Sequence, residues 1–496
     1  MTNLRTAESL ENYFRRFREN VIGIDSYFES PYGRKKILYA DWIASGRLYR
    51  PIEEIMAGKI GPFVGNTHSY ASETGSLMTS AYHYAHEVIK KHVKADKNDV
   101  IITANSGMTG VVCKFQRILG LKVPEKLEKH FSIPEEERPV VFITHLEHHS
   151  NHTSWLETIA DVVVLEPDEN LMVNPDCLRN EIRKYGDRPI KIGAFTGCSN
   201  VTGYTPPYYE LAEIMHDNGG YCFIDFAASA PYTDINMHPG KAGQDLDAIY
   251  FSPHKFLGGP GSSGVLIFNK KLYQNRIPDH PGGGTVNWTN RWNEYSYISD
   301  VETREDGGTP GFIQAIRAAL SIRLKEEMGV ENILKREEEM LAFLFKEFAG
   351  IRGLRILAEN IRKRLGVISF YIEGIHHNLV TKLLNDRYGI QVRGGCSCAG
   401  TYGHFLLNVD WDTSHDIANH IDQGDLSLKP GWIRLSLHPV MTNEELGFIV
   451  ASIKDIVTHY EDYSRDYRYD PADNEFYPLK PDREINRELE SWFQLR

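Results

Sequence analysis

The sequence predicts an α/β fold, with a seven-stranded, mainly parallel sheet in a large domain and a smaller α+β domain after it. Three observations predict it. Between about residues 98 and 268 short apolar runs recur, many of them β-branched and apolar at every position, as strands buried on both faces require. The segments between them are long enough for crossover helices. Near residue 310 the rhythm changes, and helices begin to alternate with fewer strands.

Residues 1–35 form an N-terminal segment, expected to pack on the small domain. Leu77–Val93 places apolar residues at 78, 81, 85, 88, 89 and 93, one face of an amphipathic helix. The seven strand runs are Val100–Thr103, Val140–Thr144, Val162–Leu165, Ile190–Thr196, Tyr221–Ile224, Ala248–Phe251 and Gly264–Phe268. Crossover helices fit at Val111–Leu119, Pro175–Tyr185 and Pro207–Asp217. The large domain is therefore drawn over residues 36–310 and the small one over 311–460. In the latter, Leu334, Leu341, Leu344 and Phe348 share one face of a helix over Glu331–Gly350, closed by its terminal glycine. Strands follow at Gly366–Tyr371, Ile390–Arg393 and Trp432–Leu437, with helices near 378–388 and 443–459. Residues 461–496, rich in Tyr, Asp, Arg and Pro, read as an extended tail lying along the surface.

Composition excludes several classes. With 41% hydrophobic and 25% charged residues the chain is an ordinary globular protein. A net charge of -12 disfavours nucleic acid or an anionic membrane as partner. No stretch of 18 apolar residues occurs, and the N-terminus lacks the apolar core of a signal peptide, so a cytoplasmic protein without a membrane span is expected. Six cysteines in 496 residues are too sparse for a disulfide scaffold and read as thiols of a reducing compartment.

Ligands of an open parallel sheet bind beyond the carboxyl ends of its strands, and four of these ends carry chemistry. The first strand runs into Ala104-Asn105-Ser106-Gly107-Met108-Thr109 and a helix; such a helix start offers backbone N–H groups to a phosphate, or is an ordinary capped turn. The second leads to His145-Leu146-Glu147-His148-His149-Ser150-Asn151. One of its histidines could lie on a planar ligand and pass protons, or bind a metal, although no matching ligand cluster follows and no metal is expected. Helix capping by Ser150 or Asn151 is the plain alternative. A third strand ends in Asp225, a carboxylate that needs a cation or strong donor there. The fourth precedes Ser252-Pro253-His254-Lys255, in which aromatic and glycine-rich surroundings can desolvate the lysine and make it a Schiff-base nucleophile. Together these ask for one ligand with a phosphate, a protonated ring nitrogen and an aldehyde, which is pyridoxal 5'-phosphate.

Over roughly residues 36–460 the sequence resembles the class V aminotransferase group of fold-type-I pyridoxal-phosphate enzymes, and within it the cysteine desulfurases and selenocysteine lyases. Tyr39-Ala40-Asp41-Trp42-Ile43-Ala44-Ser45 is similar to the opening strand motif, and Gly65-Asn66-Thr67-His68-Ser69 to the loop after it. The resemblance implies that His148 stacks on the cofactor, Asn200 approaches its ring hydroxyl and the substrate, Asp225 meets the pyridinium, Ser252 and His254 bind the phosphate with Gly107, Met108 and Thr109, and Lys255 holds the aldehyde. Gly283-Gly284-Thr285 resembles the loop reaching the phosphate of a neighbouring subunit, which implies a homodimer with shared active sites. Arg304 and Gly308-Thr309-Pro310 match a further shared element. In the small domain, Arg393-Gly394-Gly395-Cys396-Ser397-Cys398-Ala399 resembles the loop bearing the persulfide-forming cysteine, aligning Cys398 as nucleophile. Arg434 aligns with the arginine that holds the substrate carboxylate, and Arg393 is assigned with it.

The pattern departs from the desulfurases at two places. Ala228 stands where they usually have a glutamine, and Cys396 where they usually have a histidine. Gly-Cys-x-Cys is also similar to molybdenum-cofactor sulfurase domains. The implied function is release of sulfur or selenium from L-cysteine or a related small amino acid through a persulfide on Cys398, with a sulfur-accepting protein as partner. The competing readings are another class V reaction (transamination, epimerisation, β-elimination or molybdenum-cofactor sulfuration) and a non-catalytic sulfur-relay protein.

Overall fold

The computed structural model describes residues 9–104, 107–480 and 485–495. Its centre is a seven-stranded sheet of β1 (Asp99–Ala104), β2 (Val140–Thr144), β3 (Asp161–Leu165), β4 (Lys191–Thr196), β5 (Tyr221–Asp225), β6 (Ala248–Phe251) and β7 (Gly264–Asn269). Their order across the sheet is β1-β7-β6-β5-β4-β2-β3, and only β7 runs antiparallel to its neighbours. The alternation of side chains explains the unbroken apolar runs. Ile101, Phe142, Phe195, Ile224 and Ile267 feed the core on one face, while Ile102, Val141, Ala194, Phe223 and Leu266 feed the other. Helices α3 (Met108–Ile118), α5 (Pro175–Arg183) and α6 (Tyr208–Asp217) supply the crossovers, and α2 (Glu73–His92) packs against α7 (Phe312–Met328).

A second sheet holds β8 (Leu354–Ile356), β9 (Val367–Ile372), β10 (Arg393–Gly395) and β11 (Trp432–Ser436), in the order β8-β9-β11-β10. The run expected as one strand over Ile390–Arg393 divides. Ile390–Gln391 pairs in parallel with Leu38–Tyr39 near the N-terminus, and Arg393 begins β10 beside β11. The chain changes partner at Val392, which brings Asp41 and Arg393 to within ion-pair distance.

Helix α1 (Leu10–Arg18) buries Phe14 and Phe17 in the cluster that contains Val367, Ile433 and Ile449. Arg18 anchors it through a bidentate bond to Glu445 at 2.9 and 2.7 Å. The last segment is more regular than the extended tail expected. Helix Asn443–Ser464 runs five residues past its predicted end at 459; a hairpin (Tyr467–Asp470 with Glu475–Pro478) and a helix Ile485–Trp492 follow. The Arg387 guanidinium, 4.1 Å from the Tyr32 ring centroid and 3.8 Å from that of Tyr463, clamps this region to the N-terminal hairpin.

Candidate active site

The carboxyl ends of the parallel strands open on a cavity of about 480 Å³ that Arg393 and Arg434 of the second sheet also border. It is lined by Gly107, Met108, Thr109, His148, Asn200, Asp225, Ser252, His254, Lys255, Arg393 and Arg434, eleven residues that the sequence singled out. At one end Gly107 precedes α3, and the Met108 N–H donates to Ser252 Oγ at 2.8 Å. A Cβ on Gly107 would sit 3.4 Å from Ser252 Oγ and 3.7 Å from His254 Nε2, so any side chain there would fill the recess. Asn105 and Ser106 lie outside the described residues.

His148 caps helix α4 (His149–Leu156), its Nδ1 accepting the Ser150 N–H at 3.1 Å. The expected capping side chains therefore serve elsewhere: Ser150 Oγ pairs with Thr109 Oγ1 at 2.7 Å, and Asn151 donates to Glu147 at 2.7 Å. With Nδ1 accepting, the neutral ring carries its proton on Nε2. Burial, helped by the Lys255 charge, pushes His148 down to about 3, so the ring is neutral at physiological pH. The neighbouring histidines point to different partners. His145 Nε2 lies 3.2 Å from the Leu171 carbonyl, and His149 Nε2 accepts the Gly400 N–H at 2.9 Å. Among the described residues the group spaced to hold a metal is Asp96, Asp99 and His238, at the opposite ends of the strands.

Lys255 lies on the single turn Pro253–Lys255 after β6. Burial lowers its amine to about 8, with Asp225 acting in the opposite direction. Among the described residues its Nζ has no hydrogen-bond or ion-pair partner. The turn is pressed against Gly46, whose N–H donates to the His254 carbonyl at 2.9 Å; a Cβ there would come within 1.9 Å of the Phe256 carbonyl oxygen. Asp225 ends β5, buried, with Oδ1 accepting the Ala227 N–H at 2.8 Å. Burial raises its acid to about 6 against the pull of that bond and of Lys255, which leaves a carboxylate at neutral pH.

At the other end stands Arg434 on β11. Its Nη2 donates to Asp41 Oδ1 at 2.7 Å and its Nη1 to the Asn200 carbonyl at 3.4 Å, while its Nε has no partner. Arg393 Nε lies 3.8 Å from Asp41 Oδ2. Asn200 Nδ2 donates to the Ser397 carbonyl at 2.7 Å, and its Oδ1 is buried without a partner.

Two aligned residues sit apart from this cavity. Cys398 is exposed, and the cavity is lined instead by its neighbour Ser397. Both adopt left-handed backbone angles, φ 52° and 57°. The His149 N–H holds the Cys398 carbonyl at 2.8 Å. Thr285 is buried in its own turn, donating to the Gly282 carbonyl at 2.7 Å, away from this cavity.

Sequence reasoning missed three residues. Glu147 is fully buried behind His148, where it accepts from the Thr144 N–H and Oγ1, the Thr196 N–H and Asn151 Nδ2. It thereby ties the ends of β2 and β4 to α4; a carboxylate closing an apolar strand beside a histidine pair was its signal. Asp41 was read only as part of an opening motif, and Ser397 only as a spacer between cysteines.

The aminotransferase class-V family model matches residues 39–448. The chain belongs to this family, whose members are pyridoxal-phosphate-dependent enzymes of the fold-type-I class. Among curated proteins it is similar to a probable cysteine desulfurase of Staphylococcus aureus, 26% identical over 366 residues, which cover 74% of this chain and 84% of that protein. It is likewise similar to one of Staphylococcus epidermidis, 27% identical over 374 residues, covering 75% and 85%. Among solved structures the fold matches a cysteine desulfurase of Thermococcus onnurineus with a TM-score of 0.71 at 21% identity, covering 89% of this chain and 98% of the other. One of Escherichia coli matches with 0.69 at 20%, covering 90% and 98%.

Proposed function

We propose that the chain is a pyridoxal-phosphate-dependent cysteine desulfurase, acting on L-cysteine or a closely related amino acid. The observation that carries the reading is the joint placement, around one cavity, of the partnerless amine of Lys255, the buried carboxylate of Asp225 and the guanidinium of Arg434. These residues fit the cofactor. Gly107, Ser252 and His254 leave a recess at a helix N-terminus that suits a phosphate, Asp225 suits a protonated ring nitrogen, and Lys255 suits an aldehyde carbon. When bound, pyridoxal phosphate supplies the sink for the electrons of a broken bond at the substrate's α-carbon.

The protein's own groups do the rest. Arg434, with Arg393, binds and orients the substrate carboxylate. The Lys255 amine, once free, takes or returns a proton at the α-carbon, for which a value near 8 is well matched. The His148 ring, neutral with Nε2–H, lines the cavity and would hold the cofactor ring, with Nε2 able to carry a proton. Cys398 Sγ, once its exposed loop turns toward the cavity, accepts the substrate's sulfur as a thiolate: an S–S bond forms, the C–S bond breaks with its electron pair passing to the β-carbon, and that carbon takes a proton to leave as alanine. The thiol's exposure suits later delivery to a sulfur-accepting protein. The buried Thr285 turn, the outward hairpin Val286–Thr289/Tyr295–Tyr297 and the exposed Trp288, Trp292 and Tyr295 support a homodimer in which that loop completes the partner's site. Six free cysteines agree with a cytoplasmic setting.

A second reading, a class V reaction without thiol chemistry, is favoured by Ser397 rather than Cys398 lining the cavity. Incubation with L-cysteine, cysteine sulfinate and L-selenocysteine, measuring alanine, separates the two. Alanine from wild type, with loss of sulfide release in Cys398→Ala, supports desulfuration; no alanine from any of the three refutes it.

A further inference from the structure

We infer that Ser397 is a substrate-binding residue whose hydroxyl, with Arg434 Nε, takes the α-carboxylate of the amino-acid substrate; this rests on the reading of the cavity as an amino-acid site. Ser397 is 6% exposed and lines the cavity, yet its Oγ has no hydrogen-bond partner. Buried polar atoms are rarely left so, because the lost hydration is not replaced. Two further atoms beside the same cavity share this condition, Arg434 Nε and Asn200 Oδ1. The backbone around Ser397 is committed: Asn200 Nδ2 holds its carbonyl and His149 N–H that of Cys398. The one freedom left to Ser397 is rotation of its hydroxymethyl group.

The ligand these atoms ask for is defined by charge and shape. Ser397 Oγ and Arg434 Nε are donors, and Arg393 adds a second cation. Asp41 occupies Nη2 of Arg434 and neutralises one of the two guanidinium charges. A single positive charge remains, with Nε and a hydroxyl unpaired, which suits one carboxylate whose oxygens accept from both. The phosphate recess lies at the other end of the cavity, around Gly107, Ser252 and His254. The left-handed pair at 397 and 398 sets a buried serine that lines the cavity next to an exposed cysteine.

The test compares Ser397→Ala and Ser397→Gly with wild type, each as holoenzyme, by calorimetric titration with L-alanine, and measures Tm. Both variants lack the hydroxyl but differ in their ease at φ 52°, so a backbone role would separate them. Expected are about tenfold weaker L-alanine binding in both and no fall in Tm, because the hydroxyl holds nothing within the protein. Wild-type affinity in both variants, or a lower Tm with unchanged affinity, overturns the contact alone. No L-alanine binding by wild type refutes the amino-acid site and the contact with it.

Discussion

Asp41→Asn tests the electrostatics of the carboxylate end directly. The Arg434 side chain is 2% exposed and the Asp41 side chain 17%, so the substitution leaves a nearly dehydrated guanidinium without its counter-charge. Removing one member of a buried pair costs about 3–5 kcal/mol. The asparagine Oδ1 can still accept from Nη2, and Asp41 is not fully buried, so about 2 kcal/mol is expected. In a chain of 496 residues that is a Tm fall of a few degrees. The same change makes the site more positive for an incoming carboxylate. Tenfold tighter binding of L-alanine, about 1.4 kcal/mol, would return most of the lost stability at saturating ligand. The assay is thermal unfolding of wild type and variant over a series of L-alanine concentrations. A lower ligand-free Tm with a larger ligand-induced rise is expected. Equal ligand-free Tm values together with equal ligand-induced shifts would refute the assignment of Asp41 as the counter-ion that substrate must share.

Three further outcomes follow from the site. Lys255→Met should abolish the visible absorption of cofactor-loaded protein. In cofactor-free protein it should raise Tm at pH 7, because burial holds the folded amine near 8, below its unfolded value of 10.5. The unfolded chain binds the extra proton between these values, so wild-type stability rises with pH and the variant's advantage should fade from about pH 8 to 10.5, as a pH series of Tm values would show. Cys398→Ala should cut sulfide release more than a hundredfold while leaving L-alanine affinity within twofold, since the thiol does not line the cavity. His148→Ala removes both a helix cap, worth about 1 kcal/mol, and a ring that lines the cavity; lower Tm and weaker cofactor retention on dialysis are expected together.

The large sheet was legible because strands covered on both faces leave unbroken apolar runs, such as Val140–Thr144, that little else produces. That Asp225, Ser252 and Lys255 gather around one cavity was legible for a related reason, as each is a polar residue at or just beyond the end of such a run. What stayed hidden depends on contacts between distant segments or on single backbone angles. Nothing local marks Val392 as the point where one strand leaves Leu38–Tyr39 for β11. Nothing in Cys396-Ser397-Cys398 says which side chain turns inward, because that is set by φ values the neighbours enforce. The tail hairpin was missed because its alternating aromatic and charged residues, Tyr467–Asp470, bury little.

The pairing of Leu38–Tyr39 with Ile390–Gln391, and the bridge between Asp41 and Ser436, bear on how the protein is made. The strands of the central sheet all lie within residues 99–269. Arg434 cannot meet Asp41 until nearly four hundred further residues have followed it, and closing so long a loop is slow. A chain that stops short of β11 would therefore carry Lys255 and Asp225 without the Asp41–Arg434 pair that borders the same cavity. The cavity is completed last, when the opening and closing segments of the polypeptide meet.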